Sequence, residues 1–456
     1  METIRQIFDG QKRYFASRHT LDIKFRKEQL RRLAFAIDHR EKDILKVLES
    51  DLGKCAFEGW VHELMLIKTD IKLMLKNLNS WSAPERVPDT LGNFPSTNYT
   101  FASPYGVTLI MAPWNYPIQL ALMPLVSALA AGNTAIISPS EHAPATSKLM
   151  HEIIDEHFKS EYVAVIEGGV PEKQVLLELP FDYIFFTGST EVGKVVMQAA
   201  SEHLTPVTLE LGGKSPAVID ETAKIKTAAR RIVWGKFMNA GQTCVAPDYL
   251  LVHESREEEL LEALTREIVR QYGDDPKVSS DYGRIIHEGH FDRLAKFTED
   301  GILYYGGVLD RSELFIGPTV LREINWGHLV MQEEIFGPVL PVLTYSDWDE
   351  ALRDVEKLSR PLAFYLFSEN AKRHRQVVRE MAFGDAAIND VITHMANHRL
   401  PFGGIGSSGM GAYHGKFGYD TFSHLKGITK KPTWIDLPLR YAPYGRKLNW
   451  IKKLLG

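Results

Sequence analysis

The segment YIFFTGSTEVGKVVMQAA, residues 183–200, places a β-rich run directly before a glycine turn and a helical pattern. The run at 183–186 leads into Thr187-Gly188-Ser189-Thr190-Glu191-Val192-Gly193, and helical spacing follows over 192–200. Backbone amides at such a turn, together with the positive end of the helix, suit a dinucleotide phosphate. The turn departs from G-x-G-x-x-G, so this fragment alone leaves phosphate binding and simple tight packing equally open.

Short β-rich runs alternate with helical patterns on both sides of this segment, from Gly106 to Leu211. Such alternation is typical of βαβ units, so we predict an α/β fold with a Rossmann-like, doubly wound parallel sheet. The alternation continues after Gly212 and predicts a second α/β domain. The other predicted strands are 107–111, 135–137, 162–166, 207–209, 339–343 and 363–367, and the clearest helices are 223–238 and 256–272.

Three further segments have distinct patterns. Apolar residues recur at helical spacing in 25–50, which predicts an amphipathic helix or a helix pair. Pro84, Pro88 and Pro95 favour an extended arm or hairpin over 82–100. The apolar stretch 117–131 is shorter than the roughly 20 residues of a membrane span, so we expect a buried core helix and no transmembrane segment.

Composition narrows the class of partner. The chain has 456 residues, of which 44% are hydrophobic and 24% charged, enough for two or three domains. Its 53 basic and 58 acidic residues give a net charge of −5, so no basic field attracts nucleic acid. A small-molecule partner is expected. The N-terminus lacks the pattern of a secretory signal, which favours a cytoplasmic protein.

The C-terminal residues 448–455 read LNWIKKLL and combine aromatic and aliphatic residues with two lysines. Such a tail has three open roles: peripheral contact with a membrane surface, a cap on an active-site mouth, or docking of a terminal helix.

Cys244 is the candidate nucleophile. It lies in NAGQTCVAP, 239–247, directly after a predicted helix, where a glycine-flanked turn exposes a thiol. Its candidate base is Glu210, at the end of a strand and before Gly212, because ligands bind at the carboxyl ends of parallel strands. The alternatives are a core thiol, as expected for Cys55, and a surface glutamate that pairs with Lys214.

Asn115 lies in MAPWNYP, 111–117, where a strand ends and the apolar helix begins. Its side-chain amide suits an oxyanion, but asparagine is also favoured at a helix N-cap. The spacing leaves both roles open.

Several motifs together resemble the aldehyde dehydrogenase superfamily. The resemblance spans nearly the whole chain and is strongest to the class 3, fatty-aldehyde branch, because of WGKFMNAGQTCVAPDY and GAYHGKFGYDTFSH. The motifs are PWNYP at 113–117, GSTEVG at 188–193, LELGGKSP at 209–216, GQTCVAPDY at 241–249, EEIFGP at 333–338 and LPFGGIGSSGMG at 400–411.

The resemblance implies oxidation of an aldehyde to a carboxylic acid. In this scheme Cys244 attacks the carbonyl, Asn115 and the Cys244 backbone N–H bind the oxyanion, and hydride passes to NAD or NADP. Glu210 then activates the water that hydrolyses the thioester. The cofactor-binding residues implied by the resemblance are Ala112, Trp114, Ser138, Glu141, Gly188, Ser189, Val192, Gly193, Leu211, Glu334 and Phe336.

One position departs from the family pattern. The family usually reads K-P-S-E after the strand that begins near Ala135, whereas this chain has Ser138 in place of the lysine. Glu141 still suits a ribose 2′-hydroxyl and repels a 2′-phosphate. We therefore expect NAD to be preferred over NADP, with use of both left open.

Tyr116, Trp234 and Phe402 are the candidate substrate residues, for hydrophobic aliphatic or aromatic aldehydes, although core packing explains each equally well. No metal site is expected, because HEGH at 287–290 is one residue short of H-E-x-x-H spacing. His414 has either a structural role or a place near the substrate.

The predicted organisation follows from pattern and resemblance together. Residues 1–81 and 101–209 form the dinucleotide-binding domain, 210–418 the catalytic domain, 82–100 and 419–431 a small β arm, and 432–456 a tail. Because such arms pair between subunits in the family, we expect a homodimer. Competing functions are a CoA-acylating relative, which Glu210 argues against, and a catalytically silent protein on the same fold.

Overall fold

Helices and strands alternate through the chain in a computed structural model that describes residues 2–90 and 92–455. The helices are α1 Glu2–Ala16, α2 Ile23–His39, α3 Glu41–Leu52, α4 Ala56–Gly59, α5 Met65–Trp81, α6 Gln119–Ala131, α7 Pro144–His157, α8 Val170–Leu177, α9 Thr190–Ser201, α10 Ile225–Phe237, α11 Glu257–Tyr272, α12 Glu288–Phe297, α13 Trp348–Lys357, α14 Ala371–Glu380, α15 Gly415–Thr421 and α16 Lys447–Leu455. The strands are β1 Glu85–Val87, β2 Thr97–Pro104, β3 Val107–Met111, β4 Thr134–Ser138, β5 Val163–Val165, β6 Tyr183–Thr187, β7 Val207–Glu210, β8 Pro216–Ile219, β9 Tyr249–His253, β10 Ile302–Tyr305, β11 Leu309–Asp310, β12 Phe315–Ile316, β13 Thr319–Arg322, β14 Val339–Tyr345, β15 Ala363–Phe367, β16 Asp385–Ile388, β17 Gly409–Met410 and β18 Ser423–Lys430.

The first large sheet has the strand order β17-β7-β6-β3-β4-β5. Strands β3 to β7 are parallel, and the short β17 closes one edge in an antiparallel pairing with β7. The order reverses between β3 and β6, so a crevice opens at the carboxyl ends of these two strands. The predicted doubly wound sheet is confirmed.

The second large sheet has the order β10-β13-β14-β9-β8-β15-β16. All its neighbours pair in parallel except β10, which runs antiparallel to β13. Strands of a parallel sheet are buried on both faces, as β8 and β15 are along their whole length. The predicted second α/β unit is therefore confirmed.

Helix α6 lies at the centre of the larger hydrophobic core. Every residue of the helix is buried, and Gly132 ends it with a φ of 99°. The amides of Ile118 and Gln119, at its start, donate to the Glu63 carboxylate at 2.9 and 3.1 Å. The prediction of a buried core helix is confirmed, and Asn115 is not its N-cap.

The arm and the tail leave the two large sheets. Strand β2 pairs with β18 over eight residues and with β1 on its other side, which forms a three-stranded antiparallel sheet. Beyond it, the tail ends in α16, with Trp434 and Trp450 largely exposed. Within the described residues, no helix is both long and apolar enough to cross a membrane.

Candidate active site

The backbone reverses direction just before Cys244. Helix α10 ends at Phe237, and Asn239, Ala240 and Gly241 then adopt positive φ angles of 51°, 51° and 75°. A Cβ on Gly241 would lie 2.3 Å from the Gly337 carbonyl oxygen, so only glycine fits there. The reversal leaves Cys244 half-buried at the wall of a cavity.

Buried hydrogen bonds fix this loop against the segment that carries Asn115. The side-chain amides of Asn115 and Asn239 both donate to the Gln242 carbonyl, at 3.0 and 3.1 Å. The hydroxyls of Tyr116 and Thr243 lie 2.7 Å apart. The structure thus brings Asn115 beside the Cys244 loop, with one amide hydrogen on Gln242 and a second for another acceptor.

A fully buried ion pair contacts the segment that carries Asn115. The Lys54 ammonium group donates to the Glu63 carboxylate at 2.6 Å and to the Asn115 carbonyl at 3.0 Å. Since Glu63 also caps α6, one carboxylate links the cation, the helix and the Asn115 turn. Such a pair fixes geometry and does not by itself add stability, because both charges lose their water.

Glu210 ends β7 and faces the same site. It is buried, and neither carboxyl oxygen has a hydrogen-bond partner among the described residues. The alternative of a surface ion pair with Lys214 is wrong, since Lys214 binds the Asp248 carboxylate at 2.5 Å. A buried carboxylate without a partner is costly in a folded protein, which points to a ligand or a proton as its intended partner.

Burial and the charges of two carboxylates act on the Cys244 thiol. Burial raises the pKa of Cys244 to about 12, and the charges of Glu334 and Glu210 raise it further in that direction. Burial also raises the pKa of Glu210 well above its usual range, with a contribution from Asp385. The thiol is therefore protonated in the free protein at neutral pH.

Hydrogen bonds from Lys214 hold the segment that carries Glu334 and Phe336. The Lys214 ammonium also donates to the carbonyls of Val330 and Glu333, both at 2.9 Å. A Cβ on Gly212 would lie 2.0 Å from a Glu334 carboxylate oxygen, so the Glu334 side chain lies directly against the Gly212 backbone. Phe336 packs edge-to-face on Trp114, with 5.3 Å between ring centroids.

The turn after β6 has the form that a dinucleotide phosphate needs. The Ser189 hydroxyl caps α9 by accepting from the Val192 amide at 3.4 Å, and both residues are exposed. The other first-turn amides have no partner within the helix. A Cβ on Gly193 would lie 2.7 Å from the Leu211 side chain, so this glycine allows α9 to approach β7.

The remaining predicted cofactor residues line the same crevice edge. The Ala112 amide donates to the Ser138 carbonyl at 3.0 Å, and the Gly188 amide donates to the Glu210 carbonyl at 3.0 Å. The buried Thr187 hydroxyl has no partner among the described residues. Together, the free amides, the close glycines and the unpaired polar atoms fit a bound dinucleotide.

The cavity beside Cys244 has a volume of about 150 Å³. All three predicted substrate residues, Tyr116, Trp234 and Phe402, line it, and all three also pack in or against the hydrophobic core. Its other lining residues are Val61, His62, Met65, Leu66, Gln119, Leu120, Met238, Thr243, Val245, Ile392, Thr393, Met395, Ala396 and Tyr413. A mostly apolar wall next to a thiol suits a hydrophobic, electrophilic ligand.

The aldehyde dehydrogenase family profile matches residues 1–428. The chain belongs to this family. It is 48% identical over 454 residues to 4,4′-diaponeurosporen-aldehyde dehydrogenase of Staphylococcus aureus, covering 99% of both chains. It is 42% identical to the dimeric NADP-preferring aldehyde dehydrogenase of Canis lupus familiaris, covering 98% of this chain and 100% of that one. A solved structure of Staphylococcus aureus AldH in a substrate-bound state superimposes with a TM-score of 0.98 at 47% identity, again over 99% of both chains.

This aldehyde dehydrogenase has site residues that the sequence did not single out. Met65, Met238 and Met395 line the cavity from three separate parts of the chain. A local pattern marks such residues only as apolar, and nothing in it shows which cavity they share. The local pattern did not indicate that Lys54 and Glu63 are buried either, because a charged residue in a helical pattern is usually solvated.

In the described structure His414 lacks the satisfied hydrogen bonds that are expected of a structural histidine. It is buried, and its ring stacks on Phe402 with 5.1 Å between centroids. Neither ring nitrogen has a side-chain partner in the described structure. Burial lowers the pKa of His414 to about 3, so the imidazole is neutral, and it packs against Phe402 of the cavity wall.

Proposed function

We propose that this aldehyde dehydrogenase oxidises hydrophobic aldehydes to carboxylic acids through covalent catalysis by Cys244. The observation that carries the proposal is the apolar cavity lined by Cys244, together with the buried Glu210 carboxylate, which has no hydrogen-bond partner among the described residues. NAD or NADP serves as the oxidant, in line with the free amides of the α9 turn and the relatives reported above.

The first step forms a bond between the Cys244 sulfur and the carbonyl carbon. The thiol proton leaves to solvent water, and the carbonyl electron pair moves to oxygen. The second amide hydrogen of Asn115 and the Cys244 backbone N–H donate to that oxygen. When bound, the dinucleotide would supply a hydride acceptor at its nicotinamide, which Glu334 and Phe336 would hold, and loss of hydride from the Cys244 adduct leaves a thioester.

The second step breaks the carbon–sulfur bond of the thioester. Glu210 takes a proton from water, the water oxygen bonds to the carbonyl carbon, and the product leaves as a carboxylate with the thiol restored. A carboxyl whose pKa is raised by burial suits this role, since its basicity lies nearer to working pH than that of an exposed carboxylate.

The deciding experiment is rapid mixing with NAD and an aliphatic aldehyde, with NADH followed by absorbance. Wild type and Cys55→Ala should turn over alike, Cys244→Ala should form no NADH, and Glu210→Gln should give one burst followed by slow turnover. The Cys55 variant is a control for loss of any thiol. If NADH formed only when CoA or phosphate was added, the second step would be acyl transfer to that compound and not hydrolysis.

We also infer that the arm joins two subunits. On the side of β18 opposite β2, no strand pairs with it in the described residues, and Leu425 on this strand is 62% exposed. An exposed edge strand is a ready surface for pairing with a second chain. In such a homodimer the arm would form the contact between subunits, which agrees with the proposed division of the chain into two domains and an arm.

The tail is proposed to contact anionic membrane surfaces. Residues 432–456 carry five basic residues and one acidic residue, a net charge of +4, whereas the rest of the chain carries −9 of the overall −5. Exposed Trp434, Tyr444 and Trp450 add apolar surface to these cations. Full-length protein should co-sediment with phosphatidylglycerol vesicles and not with phosphatidylcholine vesicles. Removal of 432–456 should abolish co-sedimentation, and equal binding by the shortened protein would contradict the proposal.

A further inference from the structure

Glu141 lies three residues beyond the carboxyl end of β4, the strand next to β3 in the dinucleotide-binding sheet. In sheets of this kind a carboxylate binds the adenosine ribose 2′-hydroxyl, and a cation nearby accommodates a 2′-phosphate. The identity of the cation beside Glu141 therefore bears on the choice between NAD and NADP.

The cation that contacts Glu141 comes from a different element. Lys173, on α8, forms an ion pair with the Glu141 carboxylate, and both side chains are partly exposed at the crevice edge. Burial raises the pKa of Glu141, but the hydrogen bond and charge of Lys173, a backbone hydrogen bond and the charge of His142 together outweigh burial and lower the pKa overall. The carboxylate is thus held in its charged form next to a mobile ammonium group.

The groups that neighbour Glu141 are poorer candidates than Lys173 for the cation that binds a 2′-phosphate. Ser138, at the end of β4, is buried and uncharged, so the strand itself supplies no cation. Glu172 is occupied, because its carboxylate accepts from the Gly169 amide at 2.9 Å. His142 adds a weaker electrostatic contribution to the Glu141 carboxylate, and its ring packs on His287 with 4.6 Å between centroids.

We propose that Lys173 determines how this enzyme binds the ribose 2′-phosphate of NADP. The proposal rests on the proposed use of a dinucleotide. With NAD, Glu141 accepts from the 2′-hydroxyl while Lys173 stays on the carboxylate. With NADP, the flexible Lys173 side chain turns from Glu141 to the phosphate, and the repulsion between Glu141 and the phosphate makes binding weaker than that of NAD.

The test uses only the adenosine half of the cofactor. Titration calorimetry with 5′-AMP and adenosine 2′,5′-bisphosphate is done on wild type, Lys173→Met, Glu141→Gln and the control Lys159→Met. Lys159 pairs with Glu161 before β5, near the amino end of that strand, whereas Glu141 follows the carboxyl end of β4. Lys173→Met should weaken bisphosphate binding about tenfold and AMP binding much less, and Glu141→Gln should strengthen bisphosphate binding about tenfold.

The outcomes separate this proposal from the proposed function. If Lys173→Met changes both ligands by the same factor while wild type still forms NADH, Lys173 has only a structural role and this proposal alone is overturned. If wild type binds neither adenosine ligand and forms no NADH, both proposals are wrong. A selective loss of bisphosphate binding, absent in the Lys159 control, supports the role of Lys173.

Discussion

Cys244 and Glu210 are weak acids because the protein buries them. The pKa of the Cys244 thiol is raised to about 12, and that of the Glu210 carboxyl is also raised. At neutral pH the free protein holds the thiol proton, although the thiolate is the reactive form, and the raised pKa of Glu210 favours the protonated carboxyl in the same way. The chemistry of this site is therefore coupled to proton release.

The rate of the NADH burst should rise with pH. A group with a raised pKa gains its basic form only as the pH increases, so we expect a continuous increase between about pH 6 and pH 9. Rapid-mixing measurements in a series of buffers test this expectation. A burst rate that is flat over this range would mean that the thiolate forms before substrate binds.

Replacement of Asn115 by alanine should lower kcat/KM by about 10²- to 10³-fold, the usual effect of losing one oxyanion donor. Asn239→Ala is a matched control, because its side-chain amide also donates to the Gln242 carbonyl. If the two variants lose activity equally, Asn115 acts by holding the loop. Steady-state kinetics with one aldehyde at saturating NAD separates these outcomes.

At the scale of elements, the site depends on close contact between segments distant in sequence. The strand that ends at Glu210 meets the 330–336 segment at Gly212, where Glu334 lies against the glycine. Lys214 then ties that segment through Asp248 and two backbone carbonyls. One short connection after β7 thus positions a carboxylate on each side of the crevice.

Gly212→Ala should weaken NADH binding about tenfold, because the added Cβ displaces Glu334 from the place proposed for the nicotinamide ribose. Gly10→Ala is the control, since a Cβ there meets its nearest neighbour at 3.9 Å. Fluorescence titration with NADH measures both variants. Unchanged affinity in Gly212→Ala would show that Glu334 does not contact the cofactor.

Much of the fold was predictable at this scale, because local periodicity decides whether a segment is a helix or a strand. The strands at 107–111 and 363–367 have the predicted bounds, and the helix pair in 25–50 is present as α2 and α3. Cys244 and Glu210 were found for the same reason, since each follows a recognisable element. The Lys54–Glu63 pair and the Lys173–Glu141 pair were not, because a contact between helices and loops has no local pattern.

At the scale of the whole molecule, the exposed edge of β18 is the surface proposed to contact a second subunit. Leu425→Lys places a charge on this edge and should shift the protein from dimer to monomer in sedimentation velocity runs at micromolar concentration. Val378→Lys is the control, on the similarly exposed surface of α14. A wild-type protein that is already monomeric would contradict the proposed arm contact.

The pairing of β17 with β7 also bears on how the protein is made. The edge of β7 that carries Glu210 is covered by residues 409–410, which leave the ribosome roughly 200 residues later. Until then the nascent chain exposes an unpaired strand edge near the predominantly apolar α6. The first sheet therefore closes only near the end of translation, and a chain stalled before residue 409 is a natural substrate for chaperones.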